Sequence, residues 1–157
     1  MAVIFTSAAQ ELNARADIAR LLTRRGRAAD AKDPDAIVAE HAPGSRDSHG
    51  MFNGTIEQFA EYLRTHNYQD KRYGPQRHTI SNLLIEFDSP SRARVESYHL
   101  AFHRIVLASG SYDVYIGGRY LDRCELTGGR WLLASRHVIY DWTSSSLARE
   151  PTTVEDA

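Results

Sequence analysis

Apolar positions recur with a helical period early in the chain and with a period of two later, and the change falls near Arg77. Ser7-Ala-Ala-Gln10 has the form of a capping box. After it, Leu12, Ala16, Ala19, Leu22 and Ala29 recur at helical spacing, with Ile18 and Leu21 alongside. This pattern predicts a long first helix ending near Asp30. Asp33-Pro34 restarts a helix, because aspartate caps well and proline suits the first helical position. That second helix carries Ala36, Ile37 and Val38 and is expected to stop by Pro43-Gly44, with Ser45 to Asn53 reading as polar and irregular. Thr55-Ile-Glu-Gln58 is another capping box, and Ile56, Phe59, Ala60 and Leu63 give a third helix its apolar face.

Four long β-rich segments follow: Arg77–Phe87, Ala93–Val106, Val114–Leu126 and Arg130–Trp142. Turn signals at Asp88-Ser-Pro-Ser91, Ala108-Ser-Gly-Ser111 and Thr127-Gly-Gly129 separate them. Helices first and a strand meander afterwards indicate an α+β domain: a curved antiparallel sheet packed on three helices, a cone with an internal pocket. Alternation sorts the strand faces. His78, Ile80, Asn82 and Leu84 share one face of the first long strand. On the second, Ala93, Val95, Ser97, His99, Ala101 and His103 form a face of small and polar side chains suited to a pocket wall. Arg94, Glu96, Tyr98, Leu100 and Phe102 oppose them, a bulky face suited to a homodimer or homotrimer interface. Tyr120 and Asp122 alternate together toward the pocket, Trp142 is placed to close its base, and Gly117-Gly118 marks a bulge or sheet bend.

The 157 residues fit one domain, with the cone over 1–142 and a tail over 143–157. Nineteen basic against twenty acidic residues leave a net charge of −1, with no long-range attraction for nucleic acid or anionic lipid. A lone cysteine, Cys124, excludes an internal disulfide and fits a reducing, cytoplasmic setting; its strand context reads as a small buried hydrophobe. The opening Met-Ala-Val-Ile-Phe is too short for a signal peptide, and no apolar run approaches the ~20 residues of a membrane span. No His-Glu-x-x-His, paired cysteines or compact two-His-one-carboxylate run is present, so no metal is expected. A phosphate-cradling glycine loop is also missing, and no cofactor is expected.

Several segments together resemble the SnoaL-like proteins of the nuclear-transport-factor-2-like superfamily, a cystatin-like cone. They are Ala29-Asp30-Ala-Lys-Asp33, Asp47-Ser-His49-Gly50, His78-Thr-Ile-Ser-Asn82 with Leu84-Ile-Glu86, and Glu96-Ser-Tyr98. Gly118-Arg-Tyr120-Leu-Asp122-Arg123, Gly129-Arg-Trp131, Arg136 and Asp141-Trp142 complete the set. Relatives of this kind include scytalone dehydratase, hexachlorocyclohexane dehydrochlorinases, bile-acid 7α-dehydratases, polyketide cyclases and dioxygenase β subunits. The resemblance implies a His–Asp pair, with Asp30 at the end of the first helix and His78 on the first long strand. It also implies cofactor-free β-elimination on a hydrophobic cyclic or aromatic compound. Where many dehydratases carry a tyrosine, about five residues before the helix aspartate, this chain has Arg25. The arginine that dehydrochlorinases carry near the last hairpin is replaced by Leu126-Thr127.

The chemistry stands on its own terms. An imidazole titrates near neutrality and is a ready general base, and a carboxylate on its far nitrogen fixes the tautomer. Asp30 falls where the helix dipole disfavours negative charge by about 0.3–1 kcal/mol, a cost that a cationic partner offsets. The bland readings are a polar helix end for Asp30 and an edge residue for His78. His49 with Asp47 reads either as a second pocket dyad or as a loop hydrogen-bond network. His49, Asn82, His103, Tyr120, Asp122 and Arg25 complete the candidate substrate-binding set. A non-catalytic binding module and an oxygenase β subunit are the alternatives on the same fold.

Overall fold

A computed structural model of the protein describes residues 5–50 and 52–148. Helix α1 (Ala8–Asp30) is capped by the Ser7 hydroxyl, which accepts from the Gln10 amide. Its buried stripe runs Ala14, Ile18, Leu21, Leu22, Arg25, Gly26, Ala28 and Ala29. Leu12, expected on that stripe, lies off it and is 66% exposed. The helix ends in a Schellman motif: Lys32 turns left-handed (φ 55°), the Lys32 amide donates to Ala29 O and the Asp33 amide to Ala28 O. Helix α2 (Pro34–Ala39) starts on the Asp33 cap, and α3 (Ile56–Tyr62) on the Thr55–Gln58 capping box. One wide π turn, Leu63–Tyr68, continues α3.

The sheet has six strands in the order β2-β1-β6-β5-β4-β3. They are β1 (His41–His49), β2 (Phe52–Thr55), β3 (Tyr73–Ser89), β4 (Arg92–Leu107), β5 (Gly110–Thr127) and β6 (Arg130–Leu147). The four long strands form the expected antiparallel meander. The stretch expected to be irregular is instead a strand pair, β1–β2, with β1 running parallel to β6. Pro43-Gly44, expected to follow the second helix, therefore lies inside β1. The strand β6 also continues five residues past Trp142, with Thr143 to Leu147 paired to Ile116 to Tyr112 of β5, so the tail expected from 143 begins as strand. Residues 149–157 lie outside those described.

Two apolar clusters hold the layers together. One packs Ile18, Leu21 and Leu22 of α1 on Ile85, Val95, Cys124, Trp131 and Leu133 of the sheet. Each fully buried aliphatic side chain there contributes roughly 1.5–3 kcal/mol. The other joins Ala28, Ala29, Ile37, Ile56, Phe59 and Leu63 where the three helices meet. Between these clusters the sheet curves away from α1. The bend sits at Gly117/Gly118, where the β5–β6 register slips. A Cβ on Gly118 would lie 1.9 Å from Ile139 O, so the bulge requires glycine there.

Candidate functional site

The hollow left by that curvature has a volume of about 520 Å³. Its walls come from α1 (Arg25, Ala29), β3 (Gln76, His78, Ile80), β4 (His99, Ala101, His103), β5 (Tyr120) and β6 (Arg136, Tyr140). Phe59 of α3 and Leu63, Asn67 and Tyr68 of the π turn close one side.

The C-terminus of α1 is stitched to β3. The Gln76 side-chain amide donates to Ala29 O and the Lys32 ammonium to Tyr73 O, satisfying the helix-end carbonyl and fixing the approach. That anchoring brings Asp30 to His78, with Oδ1 2.7 Å from Nδ1. Both side chains are largely buried, 20% and 11% exposed. With a carboxylate on Nδ1, the neutral ring carries its proton there and leaves Nε2 as a lone-pair acceptor. His103, opposite Gln76 in the register, meets the His78 ring edge-on at 5.4 Å. Burial first, and the neighbouring His78 second, hold His103 near pKa 4, a neutral ring.

A second polar group lies along β1, β6 and β5. The register sets Asp47 beside Arg136 and Arg136 beside Asp122. Arg136 donates twice to Asp122, at 2.8 and 2.7 Å, and its guanidinium covers the Tyr120 ring at 4.0 Å. Burial works against the Arg136 charge, but Asp122, Tyr120 and Asp47 together hold its pKa above the ordinary arginine value. Arg25 donates from Nε to His41 Nε2 at 3.2 Å, which makes that imidazole nitrogen an acceptor. Burial, then Arg25, push His41 down to about 2, so it is a neutral structural histidine. Asp47 is fully buried, 3.4 Å from His49 Nδ1 and 3.9 Å from Arg25 Nη2, and neither carboxylate oxygen completes a hydrogen bond. His99 stacks on Tyr120 at 4.4 Å, and burial takes it down to about 4.

The SnoaL-like domain family matches residues 10–137. The chain belongs to the SnoaL-like family. Among solved structures, one similar to this SnoaL-like protein is named as a candidate scytalone dehydratase from Novosphingobium aromaticivorans. It shares 22% identity and a TM-score of 0.76, covering 96% of this chain and 99% of that one. A hexachlorocyclohexane dehydrochlorinase of type 2 shares 15% identity, with a TM-score of 0.80 over 94% of this chain and 99% of that one. The type 3 enzyme from Novosphingobium barchaimii gives 15% and 0.78 over the same shares, 94% and 99%. None of the curated proteins matches the chain.

Of the residues expected in the site of this SnoaL-like protein, Arg25, His49, His78, His103 and Tyr120 line the hollow, and Asp30 supports it from behind His78. Asn82 does not. A bulge between Ser81 and Leu84 puts Asn82 in the left-handed region (φ 51°) and reverses the alternation beyond it. Ile85 and Phe87 therefore turn inward, while Asn82 is exposed and Leu84 is 59% exposed. Asp122 does not reach the hollow either, because Arg136 caps its carboxylate and takes its place in the wall. Trp142 lies against Gly117, 52% exposed and away from the base. Arg136, Gln76, Tyr140 and the π turn were not expected as walls. An acid and a base set almost symmetrically about the Gly128-Gly129 turn, Asp122 and Arg136, were the available signal for the first.

Proposed function

We propose that this hollow catalyses a cofactor-independent elimination on a hydrophobic cyclic or aromatic small molecule. His78 acts as general base and Asp30 as the residue that positions it. The observation that carries this reading is the 2.7 Å Asp30–His78 contact in the wall of a largely apolar cavity. The free Nε2 lone pair takes a proton from the carbon next to an activating group. The C–H electrons form the double bond as the leaving group departs with its own pair, and the imidazolium that results is stabilised by Asp30. Exclusion of water by Ile80, Ala101, Ile105 and Ile116 strengthens that stabilisation. The dehydratase and dehydrochlorinase names among similar structures support elimination as the reaction class.

The outer face of β4 supports self-association, since Tyr98 and Leu100 are 49% and 44% exposed. A buried, unpaired Cys124 agrees with a reducing cytoplasm. Among the described residues, no helix is long and apolar enough to cross a membrane.

The test is a screen of cyclic β-hydroxy and β-halo carbonyl compounds, read by the absorbance of the conjugated alkene. His78→Ala should cut turnover of any substrate found by about 10²-fold or more. Unchanged turnover in that variant refutes the assignment. Compounds that saturate the cavity and are never converted would instead support a binding module.

A further inference from the structure

The second carboxylate–imidazole pair is not used by the elimination, and its surroundings are unusual. Asp47 is fully buried between two potential cationic partners and commits to neither. His49 buries Nδ1 toward Asp47 while its ring lines the hollow, so Nε2 is the nitrogen offered to a ligand. The His49 ring stacks on Phe59 at 5.0 Å, and the Arg25 guanidinium lies 6.0 Å from the Phe59 ring. Arg25 lines the hollow, is 4% exposed at its side chain and makes one hydrogen bond, from Nε, among the described residues; its Nη2 is held only by the long 3.9 Å ion pair to Asp47.

We propose that His49, Asp47 and Arg25 form a subsite that takes the hydroxyl of a phenol and ionises it. The ligand O–H bond breaks, its electron pair stays on oxygen, and the proton moves to His49 Nε2. The new imidazolium becomes the cation Asp47 needs, which frees Arg25 to pair with the phenolate. No charge is created without a partner, which is the condition for moving a proton in a buried site. The two unfinished contacts at 3.4 and 3.9 Å leave the carboxylate within reach of both partners, so it can exchange one for the other. Arg136 adds a further positive charge, already balanced by Asp122. Tyr140, beside His49 and in the wall of the hollow, gives the aromatic ring of the ligand a surface to pack on. Burial lowers the proton affinity of His49 and Asp47 partly restores it, so the free ring is neutral and the ionised state depends on the Asp47 and Arg25 pairings.

The proposal rests on the cavity being a small-molecule site but not on elimination at His78. The probe is 4-nitrophenol, whose anion absorbs in the visible, titrated with the whole protein at a pH where the free phenol is almost wholly protonated. The bound phenol should show the phenolate band. Its methyl ether, which has no proton to give, should bind the wild-type protein at least about 10-fold more weakly. His49→Gln should bind without the phenolate band, and Arg25→Lys, which keeps a charge, should retain part of it. A bound phenol that stays un-ionised, or an ether that binds as well as the phenol, overturns the proposal. Ionisation is read without turnover, so either result leaves the His78 assignment to its own test.

Discussion

Asp122→Ala tests whether the buried ion row holds the sheet together. The Asp122 and Arg136 side chains are 0% and 2% exposed and share two short hydrogen bonds. Removing one partner leaves a guanidinium that can neither reach water nor lose its proton. Breaking such a pair costs about 3–5 kcal/mol. Asp47, adjacent to Arg136 in the register, recovers part of the loss, which places the expectation near the lower end. At a urea dependence of about 2 kcal/mol per molar, the unfolding midpoint should fall by roughly 1.5 M. The double variant Asp122→Leu with Arg136→Met removes both charges and should regain most of that loss, since no charge is then stranded. An exposed pair such as Arg94–Glu86, at 3.7 Å with both side chains more than half exposed, sets the contrast at about 0–1 kcal/mol. A single-variant loss within that smaller range would refute the reasoning.

Acid should destabilise the fold earlier than carboxylate titration alone predicts. Burial moves His41 from 6.5 to about 2, and His99 and His103 from 6.5 to about 4. The neutral rings contribute fully above the unfolded value. As pH drops below it the unfolded chain takes up protons first, so stability falls by up to about 1.4 kcal/mol per pH unit for each histidine. For His99 and His103 the loss is complete near their folded values, and for His41 it continues lower. Urea midpoints at about pH 7.5 and about pH 5 check this, and equal midpoints contradict it. On the outer sheet face, wild-type protein should run as a dimer or trimer by light scattering and Tyr98→Glu as a monomer; a monomeric wild type removes the basis for an interface there.

The elements that sequence made legible are those whose signals are local. Capping boxes at Ser7 and Thr55, the Asp33-Pro34 start and the period-two runs all act within a few residues, and helices and strands form where they indicate. The pair β1–β2 has no such signal: Pro43, Gly44, Gly50 and Gly54 interrupt any alternation, and β1 is held by a parallel partner about ninety residues away. Bulges explain the misplaced side chains. One extra residue between Ser81 and Leu84 turned Asn82 outward, and a slip between Arg123 and Cys124 brought Asp122 opposite Arg136. Asp30 and His78 escaped this, because His78 precedes the Ser81–Leu84 bulge and the helix end that carries Asp30 is pinned by Gln76 and Lys32.

The most direct measurement of the central claim is the protonation pattern of the His78 ring by ¹⁵N NMR, in the wild-type protein and in Asp30→Asn. If Asp30 positions His78, the wild-type ring carries its proton on Nδ1, held by the carboxylate 2.7 Å away, with Nε2 bare toward the cavity. In Asp30→Asn that preference should weaken. A wild-type ring protonated on Nε2, or one indifferent to Asp30, would contradict it.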